Sequence, residues 1–344
     1  MRGNRRRGGK RGMSARLKLR RGVVVGERPL EVRVGDERRP AWADTALLGP
    51  MREGDEVVVN VAALDLGLGS GGFDVVHVNL TRGLEGGGEG DEHVLKLNYT
   101  SLQHPVEPAE PGAGVACIPV LVLPLHGHLA PAAWAAAQAS PGLRAGYVQS
   151  GGGALPGSLS RDVAALRERG LLAGHITAAP AYGGEHEAIS TPGAIAAAAA
   201  MGWEAVLIGP GPGIIGSATE LGHGGMAALD NAHAALALEC PTTISPRLSS
   251  SDPRPRHRGV SHHTRAVLEL LLAQAEVAVP EGEAEIAAAL EEAPGPHRLR
   301  SAPVDLDAYE SSGLPAKTMG RTLREDPLFF AAALAAGHCL GSPE

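Results

Sequence analysis

The chain is short of aromatic residues, cysteine and lysine. Phe, Trp and Tyr make up 3% of it, so Ala, Val, Leu and Ile must build the core. The three cysteines, Cys117, Cys240 and Cys339, stand far apart and form no C-x-x-C pair. That spacing speaks against a disulfide framework or a cysteine zinc site and leaves three small apolar residues. No apolar run reaches the roughly 18–20 residues that cross a bilayer. The longest, Ala116 to Leu125, holds Pro119 and Pro124 and reads as a buried strand. The basic N-terminus is followed by no apolar signal-peptide core, so the cytoplasm is the expected location and no membrane partner is expected.

Glycine (47 residues) and proline (26) are plentiful, which predicts sharply shaped loops. Charge is unevenly divided. Ten Arg or Lys and no acid lie in the first 21 residues, so the remainder of a chain of net charge −7 carries about −17. Such a body repels nucleic acid on average, although the tail could touch phosphate backbones nonspecifically. Residues 1–13 are expected to be a disordered basic tail.

Residues 14–104 read as a small β domain, barrel or sandwich. Short β-like runs (Leu17–Val25, Leu30–Val34, Glu56–Leu64, Phe73–Leu80, Val94–Tyr99) alternate with glycine turns, and no segment has a helical period. A linker rich in Pro, Glu and Gly spans 105–114. From 115 to 344 the rhythm is strand, helix, strand: apolar runs at Val115–Leu125, Leu143–Gln149, His175–Ala179, Glu204–Ile208, Thr242–Ser245 and Glu276–Val279 are separated by helical segments. Two of these helices are marked by Thr191-Pro192 and Asp326-Pro327 at their starts. Near-continuous apolar strands alternating with helices predict an α/β domain with an open, mostly parallel, doubly wound sheet. About six units fit; the eight of a closed barrel do not.

In such sheets ligands bind outside the carboxyl ends of the strands. Here those ends run into His126-Gly127-His128, Gln149-Ser150-Gly151-Gly152-Gly153, Tyr182 to Glu187, Gly209 to Gly213, and Asp252 to His263. Nine of fourteen histidines fall between His126 and His263. Gly211, Gly213 and Gly216 match G-x-G-x-x-G, but Pro212 interrupts and no acid ends the next strand, so a dinucleotide site is not expected. Backbone N–H groups at Ser150–Gly153 and at Gly211 and Gly213 suit an anion. Arg254, Arg256 and Arg258 are planar donors for phosphate or carboxylate. His257, His262 and His263 add acid–base or ligand capacity, and Ser261 could cap the next helix. Lys317, in AKTMGR, is the only lysine after the linker and a possible phosphate contact. His126, Glu185, Glu187 and His223 are candidate ligands of a divalent metal at neighbouring strand ends.

The motifs AALDLGLGSGGFDVV, SGGGALPGSLS, GGEHEAIS, GPGPGIIGSATELG, DPRPRHRGVSHHT and AKTMGR resemble those of a bacterial family known only as a domain of unknown function. The resemblance covers nearly the whole chain after Met13 and implies no activity. The residues themselves support three readings. One is a hydrolase or group transferase acting on a small anionic, phosphorylated or nucleotide-like metabolite: Arg256, Arg258 and the glycine backbones hold the anion, His126, His257 or His263 moves protons, and Glu185 or Glu187 is a second carboxylate. Another is a module that senses the same ligand without turnover, its β domain meeting a partner. The third is nucleic-acid binding through the β domain and tail, for which Trp42, Phe73 and Tyr99 are too scattered to make a stacking platform. Homo-oligomerisation is left open.

Overall fold

The structure, a computed structural model, describes residues 16–67, 71–85, 87, 90, 92–112, 114, 117–295 and 297–342. The predicted basic tail, residues 1–13, lies outside the described residues. The chain forms two compact units, dividing between residues 89 and 90.

The first unit is a closed five-stranded barrel of β1 (Leu19–Glu27), β2 (Leu30–Val34), β3 (Glu37–Trp42), β4 (Glu56–Asn60) and β5 (Asp74–Asn79), in the order β1-β2-β3-β5-β4. Alternate valines (Val24, Val32, Val57, Val59, Val76) point inward with Met51, as the two-residue period of strands requires. Two one-turn helices, α1 (Thr45–Leu48) and α2 (Ala62–Asp65), interrupt the run of strands. They are too short to show a helical period in sequence. An ion pair of Arg39 with Asp74 joins β3 to β5, and one of Arg82 with Asp55 joins the segments flanking β4 and β5, at 2.6 Å each.

The second unit opens with a hairpin, β6 (Val94–Lys96) and β7 (His104–Val106). Sequence patterning had grouped this hairpin with the β domain. Lys96 is buried within the second unit, where its ammonium donates to the carbonyls of Thr177 and Ala181 and to Glu187.

An eight-stranded sheet, all parallel, follows: β8 (Val120–Val122), β9 (Ala145–Ser150), β10 (His175–Ala178), β11 (His186–Ala188), β12 (Ala205–Pro210), β13 (Thr242–Ile244), then β16 (Glu276–Pro280) and β17 (Arg298–Ala302) after a two-residue ladder of β14 (Leu248–Ser249) and β15 (Gly259–Val260). The order is β11-β10-β9-β12-β8-β13-β16-β17. Helices α3 (Leu129–Ala139), α4 (Arg161–Glu168), α5 (Thr191–Ala200), α6 (Ala227–Ala237), α7 (His262–Leu270), α8 (Ala284–Glu291), α9 (Leu306–Ser311) and α10 (Pro327–Gly341) connect and cover the strands. A small ladder, β18 (Lys317–Thr318) with β19 (Arg321–Thr322), precedes α10.

The sheet has a core on each face. Val120, Val122, Val206, Ile208, Val277 and Val279 pack with α5–α8, and Leu121, Leu123, Leu207 and Ala278 pack with α3, α4, α9 and α10. One strand therefore feeds both layers, which is why its sequence is a continuous apolar run rather than an alternation. With few aromatics, alanine-rich helices approach closely: an added Cβ at Gly337 in α10 would lie 2.1 Å from the Ala132 carbonyl in α3. Among the described residues no helix is long and apolar enough to cross a membrane.

The order sets the crevice. From β8 the chain leaves toward β9, whereas from β13 it leaves the other way toward β16. Adjacent strands whose exits diverge open a gap at their carboxyl ends, where ligands of this architecture bind.

Candidate functional site

Two polar clusters form beyond the carboxyl ends of the strands. The first surrounds His126. The chain leaves β8 into a 3-10 turn, His126–His128, that carries the His126 ring to α4. Its Nε2 lies 2.7 Å from the hydroxyl of Ser160, and its Nδ1 lies 3.4 Å from the hydroxyl of Tyr147. Ser160 is the N-cap of α4 and accepts the Val163 N–H. The Tyr147 hydroxyl is 3.0 Å from the carbonyls of Gly209 and Pro210, and its ring stacks on His175. Burial holds His126 down at about 4 and His175 at about 3. It raises Asp162, 3.9 Å from His126, to about 6.

The second cluster is built by the segment between β13 and α7. The ladder β14–β15 folds residues 250–258 back over the sheet edge, and Ser261 starts α7 by accepting the His263 N–H at 3.2 Å. Asp252 is the pivot, 0% exposed. Its carboxylate takes Arg254 at 2.8 Å, Arg321 at 3.4 Å and Arg247 at 3.7 Å, and its carbonyl accepts from Arg258 at 2.9 Å. Burial pushes this carboxyl up, but Arg254 outweighs it and holds Asp252 well below the usual carboxylate range. Asp326, also fully buried, pairs with Arg321 and accepts from Ser249 and Ser250. Arg256 is exposed and makes no hydrogen bond or ion pair among the described residues. Three guanidiniums, those of Arg247, Arg254 and Arg321, thus share two carboxylates, with Arg256 and Arg258 beside them.

Arg247 is the most informative of them. It is 3% exposed. It donates to Nδ1 of His263 at 3.0 Å and contacts the thioether of Met319 at 3.6 Å. Its one carboxylate, Asp252 at 3.7 Å, is shared with Arg254 and Arg321, and a bond to a neutral imidazole and a sulfur contact add little compensation for a buried cation. Burial, and then repulsion from Arg254, lower it to about 10, so it still carries its charge at neutral pH.

Four histidines line the same place. His223, which precedes α6, stacks on His263 with ring centroids 3.5 Å apart and planes 4° from parallel. His262 and His257 lie edgewise to or tilted against them, 4.5–5.3 Å away. Burial, with the nearby arginines and imidazoles, lowers His257 to about 3, His262 to about 4 and His263 to about 2, so these imidazoles are neutral at pH 7. Burial also lowers His223.

A family model described as a protein of unknown function (DUF3866) matches residues 40–337. The chain belongs to the DUF3866 family. The match runs from β3 into α10, so it includes part of the barrel and both polar clusters. A search of curated proteins and of solved structures finds no match.

In this DUF3866 chain the predicted site residues divide. His257, Ser261, His262, His263, Arg258 and His223 meet in the second cluster, with Arg256 on its rim; His126 sits in the first. Ser150 accepts from Asn231 of α6 at 2.9 Å. Lys317 is exposed on β18. The glycine loops pack against one another: a Cβ on Gly153 would lie 2.1 Å from the carbonyl of Gly211, and one on Gly152 would lie 2.6 Å from that of Gly224. Gly151 rests against Pro180, while nothing lies within 4 Å of a Cβ on Gly213. Most of these glycines are therefore explained by close loop packing.

The predicted metal set is not brought together. Glu185 pairs with Arg167 at 2.5 Å, and Glu187 is filled by Lys96, Thr177 and the Gly183 N–H. His126 is held by Ser160. The three-residue group of suitable ligands among the described residues is His223, His262 and His263, whose ligand atoms all lie within 4.8 Å of one another. Sequence reading passed over Arg247, Asp252, Arg321 and Asp326 as site residues. A surface hollow of about 450 Å³ beside Arg144, Gly170 and Ala173 lies at the other, N-terminal edge of β9 and β10 and holds none of these groups.

Proposed function

We propose that the crevice at the carboxyl ends of β8, β12 and β13 binds a small phosphorylated or otherwise anionic metabolite, and that the protein is an enzyme that hydrolyses it or transfers its charged group. The observation that carries this reading is Arg247: a buried, charged guanidinium with no carboxylate closer than 3.7 Å among the described residues, amid four further arginines. An anion of two or three oxygens supplies the missing acceptors. Arg256 and Arg258 would close over it from the rim, and the helix α7 N-terminus adds its positive end.

Neutral imidazoles supply the chemistry. In hydrolysis, a water oxygen bonds to phosphorus, the ester P–O bond breaks, and its electron pair leaves on the alcohol oxygen. His257 takes the water proton and passes it to that oxygen. A redox reading has no comparable support, because the G-x-G-x-x-G glycines are followed by an extended loop and not by a helix start.

The test is phosphate release from a panel of phosphate monoesters and nucleotides. Wild type should turn over at least one member. Arg247→Met and His257→Gln should each lower kcat/KM at least tenfold, the first through KM and the second through kcat. Binding without turnover of any member would replace the enzyme reading with a ligand-sensing one. Binding of nucleic acid instead, steeply weakened by salt, would favour the third reading.

A further inference from the structure

We propose that His223, His262 and His263 together hold a divalent cation of the zinc class beside that anion. The inference rests on the reading of the crevice as an anion site and adds a second ligand to it.

The tautomers are set by the partners. Nε2 of His223 lies 2.9 Å from the Glu220 carbonyl, which can only accept. Nε2 therefore carries the proton, and Nδ1 presents a lone pair. That Nδ1 is buried and has no hydrogen-bond partner among the described residues. A carbonyl fixing the far nitrogen is the usual support of a metal-binding imidazole. Nδ1 of His263 accepts an N–H of Arg247, so it too presents a lone pair. Both Nδ1 atoms face Gly225, where an added Cβ would lie 3.0 Å from one and 2.8 Å from the other. Nε2 of His262 is likewise buried and without a partner among the described residues.

Three neutral nitrogens with no carboxylate suit Zn²⁺ or Co²⁺ better than Mg²⁺ or Ca²⁺. Three protein ligands leave a coordination position open to water or to an anion oxygen. Bonds of about 2.1 Å put tetrahedral nitrogens ~3.4 Å apart, so closing from separations of up to 4.8 Å needs side-chain shifts of about 1 Å together with rotation of the His223 and His263 rings out of their parallel stack, because each lone pair lies in its ring plane.

The arginines oppose a lone cation, and this sets how it binds. Arg247 now occupies the His263 lone pair. A metal taking that lone pair releases the Arg247 N–H to an anion, and the anion screens metal from guanidinium. Metal and anion should each raise the other's affinity by the same factor.

The experiment titrates Co²⁺ into the full chain, followed by its visible ligand-field absorption, with and without inorganic phosphate. One equivalent should bind, at least tenfold more tightly with phosphate present. The band should be lost in His223→Ala, in His262→Ala, and in Gly225→Ala, whose methyl group fills the space while all three imidazoles remain. No band, or a band that survives in all three variants, would overturn the metal site. Phosphate binding by a protein that takes no Co²⁺ would also overturn it, while leaving the anion reading in place. A Co²⁺ band in a protein that ignores phosphate would keep the metal site and remove the anion reading.

Discussion

At the scale of single residues, burial decides which groups carry charge. Asp162, 22% exposed at its side chain, has no cationic partner at hydrogen-bond distance among the described residues and is raised to about 6. A carboxyl raised on folding adds stability at low pH that is lost as pH rises through its folded value. Asp162→Asn should therefore stabilise the protein at pH 8 by ~1–3 kcal/mol and leave it nearly unchanged at pH 4; urea unfolding at the two pH values reads the difference. The residues legible from sequence were those whose company is local. His257, Ser261, His262 and His263 lie within one loop and one cap, and their cluster survives folding intact. Arg247 was not legible, because a lone arginine after Ser245-Pro246 looks like any surface residue. It is buried by the β14–β15 ladder and by Met319, seventy-two residues further on. Glu187 was read as a free acid for the same reason: Lys96, ninety-one residues earlier, neutralises it.

At the scale of elements, the buried strands β8, β9, β10, β12, β13 and β16 were legible as apolar runs because both of their faces are covered. The edge strands β11 (His-Glu-Ala) and β17 (Arg-Leu-Arg-Ser-Ala) were not, since an edge strand keeps polar side chains and loses the run. The glycine loops show the same limit. Their sequence suits an anion cradle, yet only folding reveals that Gly153 faces the Gly211 carbonyl. Gly153→Ala should lower stability by ~1–3 kcal/mol through this overlap. Gly213→Ala, which meets no atom but sits at φ 74°, should lose only ~1 kcal/mol. Ser160→Ala removes the α4 cap and the partner of His126, for a loss of ~1 kcal/mol. Denaturant midpoints rank the three.

For the whole molecule, buried imidazoles predict acid lability. His126 is held at about 4 and His128 and His175 at about 3, all chiefly by burial. A histidine lowered on folding contributes stability that is present above its unfolded value near 6.5 and is lost as pH falls below it. Between pH 6.5 and 4 the unfolded chain gains these three protons and the native state does not, while Asp162 gains one in the native state. From these four groups alone unfolding takes up about two protons net, a slope of about 3 kcal/mol per pH unit, and His257, His262 and His263, lowered in the same way, steepen it further. Thermal unfolding scanned across this range should show the midpoint falling steeply; a flat profile would mean the imidazoles are not held neutral.

The anion site proposed around Arg247 is open to a direct binding measurement. Isothermal titration with inorganic phosphate tests it most directly, on wild type, Arg247→Met and the exposed-site variant Arg256→Ala, each with its unfolding midpoint measured alongside. Wild type should bind one equivalent of phosphate, Arg247→Met should bind it about 10- to 100-fold more weakly, as expected for losing charge-assisted hydrogen bonds, and Arg256→Ala should lose less, with both variants folded. No phosphate binding by wild type, or equal binding by all three, would contradict it.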